Sequence, residues 1–173
     1  MDNSLRLVEP VPQQLEELMS WVTDADSCRL WGGPWFRFPF DAISFREDCR
    51  WDEAGGRVLA GPDGGMLAFG RYYLREQRCH LGHLIVSPAE RGRGLGSALV
   101  QRLCAEGCRQ LRAAECSLFV LKDNARARSV YQRLGFRLAS YPGKAEWLEL
   151  CDYLVAPGDI IAAASPLDLQ DHG

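Results

Sequence analysis

Val86-Ser87-Pro88-Ala89-Glu90-Arg91-Gly92-Arg93-Gly94-Leu95-Gly96-Ser97-Ala98-Leu99 is the stretch on which the reading of this 173-residue chain turns. An apolar strand over 79–86 halts at Ser87-Pro88. Three glycines then alternate through 92–96, and the loop opens directly into a helix that carries Leu95, Leu99, Leu103 and Leu111 on one side. Glycines let successive N–H groups turn toward one point, and a helix start adds uncompensated N–H groups and the positive end of its dipole. Arg91 and Arg93 bring full charges. These are the parts of a diphosphate cradle. Two nucleotide-binding patterns do not fit it. A dinucleotide fingerprint begun at Gly92 needs glycine where Ser97 stands, and one begun at Gly94 needs it where Leu99 stands; a P-loop needs Gly-Lys-Ser/Thr, which the chain lacks.

Charge is segregated around this stretch. The chain as a whole carries a formal −3, which gives no global reason for nucleic acid or an anionic membrane as partner. Residues 91–137, however, hold ten Arg/Lys against three acids, a local +7, and the remainder nets −10. A hydrophobic share of 47% with 25% charged residues is a soluble globular composition for one core. Seven cysteines follow no Cys-x-x-Cys or zinc spacing, so no metal is expected and Cys104 and Cys108 read as core fillers. Free thiols, an N-terminus with no basic region ahead of an apolar run, and no window of 18 apolar residues make a cytoplasmic protein without a spanning helix the expectation.

Outward from the loop, the elements alternate. A short strand near 5–7 leads through Pro12 to a helix with Leu15, Leu18, Met19 and Val22 at helical spacing. Residues 24–54 show no clean period apart from a helix around 43–51. Strands over 58–60 and 66–74 flank the turn Gly61-Pro62-Asp63-Gly64-Gly65, and 79–86 returns beside them. After the glycine loop and its helix come a strand over 117–121, a helix capped by Asp123 or Asn124 and running to Leu134, stopped by Gly135, and strands over 136–141 and 147–154. The expected fold is α/β: a mixed sheet of six to seven strands, antiparallel hairpins first and βαβα afterwards, with helices on both faces. One domain spans 1–155, and 156–173 reads as a loose C-terminal tail.

A second motif follows the loop by about thirty residues, Asn124-Ala125-Arg126-Ala127-Arg128-Ser129-Val130-Tyr131-Gln132-Arg133-Leu134-Gly135-Phe136. Together with Arg-x-x-Gly-x-Gly at 91–96, it resembles the GNAT superfamily of acyl-CoA-dependent N-acyltransferases over residues 4–154. The resemblance implies an enzyme that moves acetyl from acetyl-CoA to a primary amine of a small molecule or peptide, by direct attack in a ternary complex. The alternative is a domain of the same fold that holds acyl-CoA as a sensor or scaffold without turnover.

The resemblance also implies roles. Backbone N–H groups of Arg91, Gly92, Arg93, Gly94, Leu95, Gly96 and Ser97 would hold the CoA pyrophosphate, with the Arg93 charge beside it. Ile85 and Val86 would pair with the pantetheine arm as an added strand. Asn124 would hydrogen-bond the cofactor, and Arg128, like Arg126, would add positive charge. Tyr131 would donate a proton to the departing thiolate. Counting back eleven positions from Arg91 reaches His80 as the base; His83, on the opposite face of a regular strand unless a bulge re-aims it, and a relaying water stay open. Phe119 stands where some relatives carry a Glu. The acceptor would meet the aromatic run Trp31, Trp35 and Phe36, with His83 nearby, and Asp24, Asp26 and Asp41 could attract its ammonium. By family habit a homodimer is an option.

Overall fold

The computed structural model describes residues 4–163. Seven strands are β1 (Arg6–Val8), β2 (Gly56–Ala60), β3 (Met66–Arg75), β4 (Arg78–Val86), β5 (Glu115–Leu121), β6 (Arg137–Ala139) and β7 (Cys151–Pro157). They form one sheet in the order β1-β2-β3-β4-β5-β7-β6. Among the described residues only β4 and β5 run parallel, which is the crossover that the helix after the glycine loop requires. Among the described residues six helices cover the sheet: α1 (Gln14–Ser20), α2 (Ala25–Gly32), α3 (Ala42–Asp48), α4 (Leu95–Leu111), α5 (Ala125–Leu134) and α6 (Gly158–Ala163).

Side-chain alternation assigns the two faces. On β3, Ala68 and Tyr72 enter the core that Leu99 and Leu103 of α4, Leu134 of α5 and Ile161 of α6 complete. Phe69 points the other way, into the core formed with Leu18, Trp21 and Phe45 from the α1–α3 side. Helix α4 lies so close to β4 that a methyl group on Gly107 would stand 2.4 Å from the Cys79 sulfur. No helix among the described residues is long and apolar enough to cross a membrane.

Three segments differ from the sequence reading. Helix α2 arises where no period was visible, because Asp24, in extended conformation, accepts the Ser27 N–H and caps it. The strand expected over 147–154 begins later, at Cys151. Trp147 instead sits in a single 3-10 turn, Glu146–Glu149, with its ring edge-on to Phe119 at 4.4 Å, above the sheet rather than within it. The expected tail also starts later than 156. Ala156 and Pro157 finish β7, the Gly158 N–H donates to the Ala114 carbonyl at 2.9 Å, and α6 buries Ile161. Residues 164–173 lie outside the described residues.

Cys104 and Cys108 do not stand alone. Cys79 and Cys116 are register partners across β4 and β5, and the Cys108 and Cys116 sulfurs lie 3.4 Å apart. Burial pushes the Cys104 and Cys108 thiols up, and the Cys116 hydrogen bond does the same to Cys79, so this group is protonated at neutral pH.

Candidate active site

Strands β4 and β5 keep register only from Cys79–Cys116 to Leu81–Leu118. Beyond that pair they part, and a cavity of about 310 Å³ opens between them. Gly82, His83, Ile85 and Val86 line one wall, and Phe119 and Val120 the other. Trp21 and Trp31 close it from the α1–α2 side, Asn124 and Tyr131 from α5, and Arg91 from the glycine loop. The parting leaves the β5-facing edge of β4 without a strand partner past Leu81 among the described residues, so Ile85 and Val86 offer backbone groups to an extended ligand.

A bulge shapes the first wall. Phe69 faces Ile85 and Arg71 faces Gly82, so His83 and Leu84 together oppose Gly70. His83 takes a left-handed φ of 52°, and the slip turns its ring onto the same side of the sheet as His80. There it packs against Trp31 and Phe36, with ring centres 5.4 and 6.1 Å away. Its Nδ1 is sealed from solvent with no hydrogen-bond partner among the described residues. Burial, and then the Arg71 and Arg50 charges, push the imidazole down to about 4, so it is neutral at pH 7.

The glycine loop has the conformation that its sequence demanded. Gly92 and Gly94 take φ values of 81° and 72°, and Gly94 starts α4 with no side-chain cap. The N–H groups of Leu95, Gly96 and Ser97 therefore point out of the helix start uncompensated, which fits an anionic group such as a pyrophosphate. The Leu95 side chain itself is buried in the core, so only its backbone serves the loop. Arg91 donates weakly to the Val86 carbonyl at 3.4 Å and is otherwise exposed on the cavity rim.

Two other arginines are more committed than the sequence implied. Arg93 is hydrogen-bonded to Glu90, which offsets its charge. Arg128 pairs with Asp152 at 2.7 Å and donates to the Lys122 carbonyl, so it braces α5 against β7 instead of facing the cavity. Asn124 caps α5 by accepting the Ala127 N–H at 3.3 Å and still lines the cavity.

Tyr131 reaches the cavity two turns along α5. Its ring leans on Phe136, centres 6.1 Å apart, and its hydroxyl has no hydrogen-bond partner among the described residues. Burial pushes the phenol up to about 12, which keeps its proton in place at neutral pH.

His80 stands elsewhere. It does not line the cavity; it is buried behind Phe119, ring centres 4.9 Å apart, and its Nδ1 meets the Ser117 hydroxyl at 2.9 Å. Burial, with the Arg75 charge, pushes it down to about 3. The sign of the resulting stability effect follows directly. Below pH 6.5 the unfolded chain takes up a proton that folded His80 refuses, so stability falls as pH drops from 6.5 toward 3. We expect this residue to contribute a slope of about 1 kcal/mol per pH unit. Urea unfolding at pH 7, 6, 5 and 4 checks it: His80→Asn should flatten the acid loss, and parallel curves for the two proteins would contradict the assignment.

The aromatic residues divide. Trp31 lines the cavity. Phe36 does not; it is 6% exposed and belongs to the core with Phe45 and Phe40. Trp35 is exposed, with its ring tilted against that of Trp147, centres 5.6 Å apart. The sequence reading missed Trp21, Gly82 and Val120 as cavity walls, because nothing local marks where two strands separate.

Comparison with known proteins agrees with this geometry. The family model for the acetyltransferase (GNAT) family matches residues 16–136. Mycothiol acetyltransferase of Mycolicibacterium gilvum (strain PYR-GCK) is 33% identical over 129 residues, 68% of this chain and 36% of that protein. The chain thus matches only about a third of that relative's length. Streptothricin acetyltransferase of Streptomyces lavendulae is 33% identical over 130 residues, covering 69% of this chain and 68% of that one. In fold, the spermidine N-acetyltransferase of Vibrio cholerae, solved with CoA and spermine, superposes with a TM-score of 0.68 at 14% identity, covering 91% of this chain and 98% of that one. The ribosomal-protein-S18-alanine N-acetyltransferase of Escherichia coli gives 0.62 at 21%, covering 94% and 97%. A parted β4–β5 wedge, a glycine loop at the head of α4 and a family match across both place this chain in the GNAT family of acetyltransferases.

Proposed function

We propose that this protein transfers the acetyl group of acetyl-CoA to a primary amine of a small molecule or peptide, by direct attack with both substrates bound. One observation carries the reading: Arg91 beside the anion-binding loop, Asn124 and the free phenol of Tyr131 line a single cavity. Bound acetyl-CoA supplies an activated thioester carbonyl. The N–H groups over 92–97 hold its diphosphate, and the open edge of Ile85 and Val86 aligns its amide-bearing arm. Tyr131, protonated and without another partner, donates its proton to the departing sulfur. His83, neutral and on the cavity wall, accepts a hydrogen bond from a water that takes the proton the attacking ammonium must lose, because an imidazole held down at about 4 does not keep that proton itself. It replaces His80 in that role because His80 is screened by Phe119. Seven thiols without a disulfide suit a reducing compartment, and we place the protein in the cytoplasm.

Melting curves with acetyl-CoA, NAD and ATP test the donor. A ligand that binds only the folded state raises the melting temperature, and does so further as its concentration exceeds its Kd. Acetyl-CoA should stabilise the protein, and NAD and ATP should not. Stabilisation by a nucleotide cofactor without any by acetyl-CoA would overturn the reading.

A further inference from the structure

The acceptor side of the sheet carries a charge that the sequence did not indicate. Asp24, Asp26 and Asp41, which could have attracted an ammonium, are all committed. Asp24 accepts the Ser27 N–H at 2.8 Å and caps α2, Asp41 forms a capping box with Ser44, and Asp26 pairs with Arg29 at 2.9 Å. Arg37, Arg46, Arg50 and Arg78 each hold an acid of their own.

Arg75, at the end of β3, is different. Its guanidinium lies over three rings, 5.0 Å from the centre of Phe119 and 5.4 Å from those of both Tyr141 and Trp147. Its Nε donates to the Tyr141 hydroxyl at 3.0 Å, and Nη1 approaches the Tyr73 hydroxyl at 3.5 Å. No carboxylate pairs with it among the described residues. Phe119 links this cation to the cavity: it is one of the lining residues, and Arg75 lies over its ring. This cluster of Phe119, Tyr141 and Trp147, distinct from the run Trp31, Trp35 and Phe36, is thus filled by the protein's own cation, and a polyamine entering there would meet like charge.

We propose that Arg75 is a carboxylate subsite for the acceptor. The amine acetylated then belongs to a molecule that also bears a carboxylate, such as a free amino acid or a short peptide with a free C-terminus. The inference rests on the transferase reading above. The guanidinium is rigidly posed by two tyrosines and three rings, is half-buried, and keeps Nη2 uncommitted, the arrangement in which a charge-assisted pair with a carboxylate is strongest. Of the three acids that could have attracted an ammonium, Asp26 is paired with Arg29, and Asp24 and Asp41 are engaged as helix caps.

The test is thiol release from acetyl-CoA by the full chain, with leucine, phenylalanine and glycyl-leucine, with the carboxamide of each, and with spermidine. Each free acid should exceed its carboxamide in kcat/KM by at least about tenfold. Arg75→Gln should collapse that ratio through KM, and Arg75→Lys should restore part of it. Carboxamides or spermidine turned over as well as the free acids would overturn the subsite and leave the transferase standing. Absence of thiol release with every acceptor would overturn the transferase reading, and the subsite with it.

Discussion

Tyr131→Phe should lower kcat about a hundredfold to a thousandfold while leaving the affinity for acetyl-CoA unchanged. The magnitude follows from the task. A thiolate departing without a proton donor loses general-acid assistance, which contributes about 10²–10⁴ in rate. The selectivity follows from the structure: the hydroxyl bonds to no described residue, and the ring's packing on Phe136 survives the substitution. Removing an unpartnered hydroxyl should also leave stability within about 0.5 kcal/mol. Steady-state kinetics beside calorimetric titration with acetyl-CoA separate the effects. An unchanged kcat would remove Tyr131 from the chemistry, and an equal loss in affinity would make it a binding residue instead.

The complementary variant, Gly92→Ala with Gly94→Ala, should do the reverse. Both glycines hold left-handed φ values, 81° and 72°, where an L side chain costs about 1–2 kcal/mol per residue. The loop relieves that strain by rotating its N–H groups away from the head of α4. A loss of about 1.4–2.8 kcal/mol in anion binding corresponds to roughly a tenfold to hundredfold rise in KM for acetyl-CoA. At saturation kcat should stay within about threefold, since Tyr131 and the cavity walls are untouched. A fall in kcat with KM unmoved would contradict the division of labour between loop and tyrosine.

That division was readable in the sequence because both parts are local. Alternating glycines at the head of an amphipathic helix fix a backbone shape whatever packs around them, and Asn124 and Tyr131 sit at set positions along one helix. The parallel crossover between β4 and β5 followed from the same order of elements. What stayed hidden depends on long-range register. Which side His83 faces is decided by a single-residue slip opposite Gly70, and which histidine lines the cavity by where β4 and β5 part, past Leu81; strand periodicity alone places the two histidines on opposite faces. Trp147 appeared to be a strand residue, since an aromatic flanked by alternating side chains fits a pleat as well as a turn over one. Arg75 falls just past the strand expected over 66–74, and only the folded chain lays its guanidinium across rings from β5, β7's approach and the segment around Tyr141. Helix α2 did have a signal, the Asp24-x-x-Ser27 cap, which the neighbouring aromatic and glycine residues obscured.

The most direct measurement is a crystal structure of the protein with bound CoA. The diphosphate should lie on the N–H groups over 92–97, the pantetheine arm along the open edge of β4, and the sulfur within about 3.5 Å of the Tyr131 hydroxyl. A diphosphate bound elsewhere, or a sulfur out of reach of Tyr131 with the arm outside the β4–β5 wedge, would contradict the account.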